Sequence, residues 1–210
     1  MAARQLAAGG LVLGTAGNVS VRTGDAVAVT PTGAELADLE AADVAVVDLG
    51  GNQLDGPLAP TSELGLHLGI HADRGDGAVV HTHAPMATAL SCVLDELPVV
   101  HYQALALGGP VRVASYATFG TQELAEHVRR ALEGRAAALM ANHGTVAVAG
   151  DASAAVELTR LLEWECRLYW HAAAIGTPRT LDAQQQQAVF EQAAALSYGA
   201  PRPAEADPRD

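Results

Sequence analysis

The stretch "AVVHTHAP", residues 78–85, places two histidines directly after a run of small and β-branched apolar residues. A short apolar run of this kind is typical of a buried β-strand. Residues two apart on a strand project to the same face, so the side chains of His81 and His83 would point together. On a helix the same side chains would diverge by about 200°. The stretch therefore predicts a buried strand that ends in a candidate metal-binding pair, with two hydrogen-bonded polar residues as the alternative.

Strand-like and helix-like segments alternate on both sides of this stretch. Alternating apolar and polar residues, turn residues and helix-capping residues define them. Strands are predicted at 18–22, 26–30, from 43 to a Gly-Gly-Asn turn, at 111–116 and on both sides of 142–144. Helices are predicted at 2–9, 62–74, 86–94, 122–134, 152–175 and 182–196, with Thr61 or Ser62 capping the second and Thr121 the fourth. Strands interleaved with helices on one core predict an α/β or α+β layered domain.

Composition limits the class of protein. The chain has 210 residues, half of them apolar, which suits one domain with a substantial core. It contains no apolar run long enough to span a membrane and no recognisable secretion signal, so a cytoplasmic location is expected. The formal net charge of −12 argues against nucleic acid as a partner. Cys92 and Cys166 are far apart in apolar helical patterns, which favours two buried thiols.

Five further histidines have ordinary interpretations. His127 lies among charged residues of an amphipathic helix, and His171 lies near a helix end, where a cation interacts well with the helix dipole. His67 and His71 share one helical stripe with Glu63. Such a stripe could bind a metal, but it more often forms a solvated or supporting face of the helix. His101, beside a tyrosine, is ambiguous.

His143 is the best candidate for a third ligand. It interrupts two apolar strand segments in "LMANHGTVAV" and is followed at once by a glycine. A polar break in a buried sheet is costly unless the polar side chain has a partner. A carboxylate in addition to the three histidines would complete a shell suited to zinc, with one position left for substrate.

Three short turns are rich in glycine and hydroxyl groups. They are "GTAGN" at 14–18, "TPTG" at 30–33 and "APTSE" at 59–63. Each alone is an ordinary turn. Three of them together in a chain with few cations predict a cradle of hydroxyl and N–H groups for an anion such as a phosphate.

These pieces resemble a known family. The motifs "GTAGNVSVR", "TPTG", "PTSE…H", "AVVHTHAP", "HY", "YATFGTQELAEHV", "NHG" and a late "YG" occur in an order and spacing similar to the class II aldolase/adducin-head family, and most of all to bacterial aldolases of L-fuculose 1-phosphate. The resemblance covers about residues 6–199. It implies one three-layer α/β/α domain around a central, largely antiparallel sheet over residues 1–199. The polar composition of the C-terminal end predicts a disordered tail at 200–210.

The resemblance also assigns roles to individual residues. It implies one Zn²⁺ per subunit, or another divalent metal, held by Glu63, His81, His83 and His143. The implied phosphate cradle consists of Thr15, Gly17, Asn18, Thr32, Gly33, Thr61 and Ser62. Glu63, Tyr102 and Tyr198 are the implied catalytic residues, and Phe119 lies near the aldehyde side of the substrate pocket. A C4 homotetramer, with sites between neighbouring subunits, is expected.

The implied reaction is the reversible cleavage of a ketose 1-phosphate to dihydroxyacetone phosphate and an aldehyde. A divalent metal stabilises the negative charge that develops on the three-carbon fragment. Glu63 would serve as general base or acid, and Tyr102 would exchange a proton with the aldehyde oxygen. The alternatives are a sugar-phosphate epimerase, a methylthioribulose-1-phosphate dehydratase and a non-catalytic adducin-like module. Glu63 disfavours the epimerases, which resemble a version with aspartate, and the complete histidine set disfavours the non-catalytic module.

Overall fold

The computed structural model describes residues 1–196, which form six α-helices and nine β-strands. The helices are α1 Ala2–Ala8, α2 Leu64–Arg74, α3 Pro85–Ser91, α4 Gln122–Ala131, α5 Ala152–Ile175 and α6 Ala183–Leu196. The strands are β1 Asn18–Thr23, β2 Ala26–Val29, β3 Ala45–Asp48, β4 Gln53–Asp55, β5 Gly77–Thr82, β6 Glu96–Leu97, β7 Val111–Ala114, β8 Ala137–Met140 and β9 Gly144–Ala149. Short 3₁₀ helices cover Ala41–Asp43 and Tyr102–Leu107.

All nine strands belong to one sheet, in the order β4-β3-β2-β1-β5-β9-β8-β7-β6. Every neighbouring pair is antiparallel except β7 and β8, which run parallel. The central strand β5 pairs Asn18 of β1 with His81, and Thr145 of β9 with Thr82. The register therefore brings three distant parts of the sequence to one end of β5.

Helices cover both faces of the sheet. Because side chains alternate along a strand, Ala78 and Val80 of β5 pack in the cluster that contains α1, α3 and α5. Val79 packs in the opposite cluster, which contains apolar residues of α2 and α4. The expected α/β architecture, three layers around a largely antiparallel sheet, is confirmed. The resemblance also placed the end of the domain at residue 199, and the polar composition predicted a disordered tail at 200–210. Both lie outside the described residues.

Several local predictions need correction. Strand β5 ends at Thr82, so His83 lies just beyond the strand. Helix α2 begins at Leu64, and neither Thr61 nor Ser62 caps it by a side-chain hydrogen bond, because the Thr61 hydroxyl accepts instead from the N–H of Glu63. Cys92 is exposed at the end of the short helix α3, whereas Cys166 is buried as expected.

The predicted cap of α4 is confirmed, because the Thr121 hydroxyl accepts a hydrogen bond from the N–H of Leu124. Asp151 caps α5 in the same way through the N–H of Ala154, which was not predicted. Among the described residues, none of the helices combines the length and apolar character that crossing a membrane requires.

Candidate metal and substrate site

Three histidines converge at the end of β5. His81 is the second-last residue of β5, and His83 follows the strand directly. His143 lies in the turn between β8 and β9. The ring centroids are 4.9–5.0 Å apart in all three pairs, and the rings meet edge to face. One nitrogen from each ring lies within 4.8 Å of the other two. The structure thus brings the three predicted histidines together.

The turn that carries His143 has special backbone requirements. Asn142 has φ 54°, in the left-handed region that asparagine tolerates better than most residues. The next residue but one, Gly144, lies so close to β5 that a Cβ atom there would overlap the carbonyl oxygen of Thr82. The sequence Asn-His-Gly therefore allows the turn to approach β5 and to place the imidazole of His143 beside the other two.

Glu63 adds a carboxylate to the three imidazoles. It stands at the N-terminal end of α2, with Oε2 3.1 Å from Nε2 of His81 and Oε1 3.6 Å from Nε2 of His143. Asn18 donates from Nδ2 to Oε2 at 3.0 Å. Burial opposes ionisation of this carboxyl, but the hydrogen bond and charge of His81, together with the Asn18 amide, hold its pKa below its usual range.

The arrangement of lone pairs shows that the site fits a cation. Nδ1 of His81 lies 2.9 Å from the carbonyl oxygen of Thr145, which only accepts, so this nitrogen carries a proton. The other ring nitrogen of His81, Nε2, faces Glu63 Oε2 and Nε2 of His83, and each of these atoms is 3.1 Å away. An oxygen and two nitrogens this close together repel one another unless a positive charge, either a proton or a bound cation, lies between them.

Two further observations support the fit. Oε1 of Glu63 is buried and has no hydrogen-bond partner among the described residues. Ligands of a tetrahedral zinc ion, each about 2.0–2.1 Å from the metal, lie about 3.3 Å from one another. The carboxylate–imidazole distances of 3.1 and 3.6 Å are compatible with that spacing. Glu63, His81, His83 and His143 are therefore the residues that would hold a divalent metal.

The imidazoles of His83 and His143 are also in the protonation state that metal binding needs. Burial, followed by the charge of His81, lowers the pKa of His83 to about 4. The same two causes lower the pKa of His143. A neutral imidazole presents a free lone pair at pH 7, whereas an imidazolium does not.

The metal-binding residues face a cavity of about 300 Å³. All seven predicted cradle residues line it: Thr15, Gly17, Asn18, Thr32, Gly33, Thr61 and Ser62. Glu63, His83, His143 and Phe119 line it as well, whereas the lining residues include no arginine. The cavity can therefore offer an anion hydroxyl and N–H donors on one side and the metal ligands on the other.

Two predicted catalytic residues are not part of this cavity. Tyr102 lies in the 3₁₀ helix Tyr102–Leu107, is 39% exposed, and lines a different, largely apolar cavity with residues of α6. Tyr198 lies outside the described residues. Within one chain, the described structure does not bring a tyrosine with a predicted catalytic role to the metal ligands.

Two residues of the site, Tyr116 and Asn142, were not predicted, although both line the cavity. Tyr116 begins the run "YATFG" that also contains Phe119, so its position two residues after β7 was an available signal. His67 and His71 are buried rather than solvated and form hydrogen bonds behind the site, which is the supporting role that the sequence left open.

Comparisons with known proteins agree with this geometry. Residues 1–170 match the family model described as the class II aldolase and adducin N-terminal domain. A 5-methylthioribulose-1-phosphate/5-deoxyribulose-1-phosphate aldolase from Rhodospirillum rubrum is 44% identical, over 90% of this chain and 86% of its own length. An L-fuculose phosphate aldolase from Escherichia coli strain K12 is 40% identical, over 86% of this chain and 84% of its own length. A solved L-fuculose 1-phosphate aldolase superposes with a TM-score of 0.85 at 36% identity, covering 90% of this chain and 91% of its own.

The family match spans four-fifths of the chain, and the relatives are matched over nearly their whole length. Of the residues to which the sequence resemblance assigned roles, all seven cradle residues, Phe119 and three of the four metal ligands line one cavity. The chain belongs to the class II aldolase and adducin N-terminal domain family, within which its relatives place it among the class II aldolases.

Proposed function

We propose that the protein is a zinc-dependent aldolase that cleaves the C3–C4 bond of a ketose 1-phosphate, giving dihydroxyacetone phosphate and a short aldehyde. The observation that carries the proposal is the convergence of Glu63, His81, His83 and His143 at a cavity rich in hydroxyl and N–H donors, which all of them but the fully buried His81 line. The names of the relatives, which are aldolases of sugar 1-phosphates, support it.

The composition supports a metal-dependent route. Aldol cleavage needs an electron sink, and the two usual sinks are a lysine Schiff base and a metal ion. All twelve basic residues of the chain are arginines, so the chain has no lysine. A bound divalent metal supplies Lewis-acid stabilisation of the negative charge on the three-carbon fragment.

The chain's own residues would bind and orient this fragment. The turns at 14–18, 30–33 and 59–63 hold the phosphate through N–H and hydroxyl groups, which fixes the distance from the phosphate to the reacting carbons. Glu63 lies where it can transfer a proton at the carbon that gains one on cleavage, and its Oε1 has no competing hydrogen bond among the described residues.

The relatives' substrates share an apolar end. L-Fuculose 1-phosphate, 5-deoxyribulose 1-phosphate and 5-methylthioribulose 1-phosphate all end in a methyl or methylthio group instead of a hydroxymethyl group. Tyr116, Ala117 and Phe119 line the same cavity as the cradle, and the two aromatic rings are more than 60% exposed. We assign this side of the cavity to the apolar end of the substrate.

The oligomer and location belong to the same proposal. Tyr102 does not line the metal cavity of its own chain, which supports a homotetramer with C4 symmetry in which a neighbouring subunit supplies this residue. A cytoplasmic location suits an enzyme of phosphorylated sugars. Tyr198 is proposed as a second catalytic tyrosine, on the sequence resemblance alone.

The test is an assay with zinc-loaded protein and each of the three sugar phosphates. Dihydroxyacetone phosphate release is coupled to NADH oxidation, and product NMR identifies the aldehyde. We expect cleavage of at least one substrate, and its loss in Glu63→Gln. An epimerised or dehydrated product would support one of the two alternative reactions, and the absence of any reaction with metal bound would falsify the aldolase proposal.

A further inference from the structure

A chain of buried polar groups runs from Glu63 into the protein behind the metal site. Asn18 Nδ2 lies 3.0 Å from Glu63 Oε2, and Asn18 Oδ1 lies 2.5 Å from His67 Nε2. Nδ1 of His67 lies 2.6 Å from the hydroxyl of Ser20, which lies 2.8 Å from Nε2 of His71. Four consecutive hydrogen bonds thus connect the carboxylate to His71.

The chemistry of the groups fixes the direction of each hydrogen bond. Because the amide nitrogen of Asn18 faces the carboxylate, its carbonyl oxygen faces His67, and an oxygen of this kind only accepts. Nε2 of His67 must therefore carry the proton, which leaves Nδ1 to accept from the Ser20 hydroxyl. The Ser20 oxygen also lies 2.8 Å from Nε2 of His71, whose ring has a further hydrogen bond with the backbone of Gly75. The protons on Ser20, His67 and Asn18 thus all point toward Glu63, and hydrogen bonds aligned in this way strengthen one another.

The members of this chain are isolated from solvent. Ser20, His67 and His71 are at most 1% exposed and Asn18 is 5% exposed. Burial, followed by the charge of His81, lowers the pKa of His67 to about 3, and burial also lowers the pKa of His71. Both rings are therefore neutral at pH 7, and each has one proton to place on one of its two nitrogens.

We infer that His67 is a positioning residue, which holds the Asn18 amide with its NH₂ group toward Glu63 and the cavity. With the amide rotated by 180°, a carbonyl oxygen would face the carboxylate at about 3 Å, and an NH₂ group would face the N–H of His67. His67 makes that rotation unfavourable. The role assigned to Asn18 as a donor in the site rests on the proposed function, but the direction of the hydrogen bonds does not.

The first measurement uses the metal-free protein and needs no activity. Imidazole ¹⁵N NMR on histidine-labelled protein reports which nitrogen carries the proton, and the signals of His67 are identified by their loss in His67→Gln. We expect His67 to be neutral with its proton on Nε2 at pH 7, and its Nδ1 signal to shift in Ser20→Ala. A proton on Nδ1 alone would overturn the inference even if the enzyme is fully active.

The second measurement compares variants that differ in one donor. The amide nitrogen of His67→Gln can reach the place of Nε2 and donate to Asn18, whereas His67→Leu cannot. We expect a 10–100-fold loss of kcat/KM or of zinc affinity in His67→Leu, as for other partners that orient ligands, and a loss of about threefold or less in His67→Gln. His171→Leu, at an exposed position of α5, is the control.

The outcomes separate this inference from the proposed function. Equal losses in the Leu and Gln variants would refute the positioning role. The protein could show the Nε2 proton and the difference in zinc affinity between the variants and yet cleave no sugar phosphate. That result would support the positioning role of His67 and refute the proposed reaction. If both His67 variants fail to fold, the wild-type tautomer and its response to Ser20→Ala decide the question.

Discussion

At the scale of single residues, three of the four candidate metal ligands are each held in place by a different neighbour. The Thr145 carbonyl fixes the ring of His81, the Asn18 amide fixes Glu63, and the turn at Asn142 places His143. Ligands that are oriented before the metal arrives lose little conformational freedom on binding it. The site is therefore preorganised by groups that do not contact the metal themselves.

Removal of one imidazole should abolish tight metal binding. We expect the wild-type protein to bind about one divalent ion per chain, and His83→Ala to retain well under half of that after dialysis, because a three-ligand remnant competes poorly with water. Elemental analysis gives the stoichiometry. His171→Ala, exposed on α5, should bind as the wild type does, and a His83→Ala protein with full metal content would contradict the assignment.

A buried carboxyl outside the site should make stability depend on pH. Glu165 is 1% exposed, and neither of its oxygens accepts a hydrogen bond of normal geometry among the described residues. Nδ1 of His101, 3.6 Å away, accepts from the N–H of Gln103 and so has no proton to share. Burial raises the pKa of Glu165 from 4.5 to about 7.

The sign of the effect follows from the two pKa values. Between pH 4.5 and 7 the unfolded chain releases the proton of Glu165 while the folded chain keeps it, so the free energy of unfolding falls as pH rises. Relative to that of Glu165→Gln, the free energy of unfolding of the wild type should fall by up to about 3 kcal/mol between pH 4.5 and 8. Urea unfolding at fixed protein concentration measures this difference. Glu157→Gln, at an exposed position of α5, should show no such trend.

At the scale of elements, the pairing of β5 with β9 determines the geometry of the site. Thr82 and Thr145 are paired across these strands and their hydroxyls lie 2.8 Å apart, directly beside the histidines. The close approach at Gly144 belongs to the same contact. A change that separates these two strand ends would move His83 and His143 relative to His81.

The substitution Gly144→Ala tests this dependence. The new Cβ would overlap the Thr82 carbonyl oxygen and lie 2.9 Å from Cδ2 of His83. We expect a loss of about 1–3 kcal/mol in the free energy of unfolding and weaker metal binding, measured by chemical denaturation and calorimetric titration. Gly150→Ala is the control, because a Cβ atom there, just beyond the other end of β9, meets no atom within 4 Å, and it should change neither quantity. If Gly144→Ala also leaves stability and metal binding unchanged, the turn can adapt and the dependence is refuted.

At the scale of the whole molecule, the separation of Tyr102 from the metal cavity makes a prediction about assembly. A C4 ring of this 21.5 kDa chain would have a mass of about 86 kDa by light scattering. We expect Tyr102→Phe and His83→Ala each to have low activity as pure proteins. Co-expressed in equal amounts, they should recover about a quarter of wild-type activity, because one site in four then combines an intact metal set with a neighbour's tyrosine. No recovery would mean that Tyr102 acts within its own chain, and full activity of pure Tyr102→Phe would mean that it has no catalytic role.

The sequence by itself determined most of the elements and the candidate residues. Local patterns were sufficient for β5, for the capped helices α4 and α5, and for His143, because alternation, caps and a costly polar break in a strand are properties of neighbouring residues. The family resemblance supplied the role of Glu63 as a metal ligand and the assignment of the three turns to one phosphate site. No local pattern connects these segments with the histidines. The start of α2 was wrong because the Thr61 hydroxyl has another partner.

Only the tertiary structure decided how these parts act together. The register of β1 and β9 on β5 brings Asn18, Thr145 and the histidines to one point, and the sequence carries no local signal for the pairing of strands so far apart. Three more features depend on which side chains meet in space: the direction of the hydrogen bonds through His67, the burial of the Glu165 carboxyl, and the position of Tyr102 outside the metal cavity of its own chain. The partners in these contacts are distant in sequence, so local patterns do not reveal them.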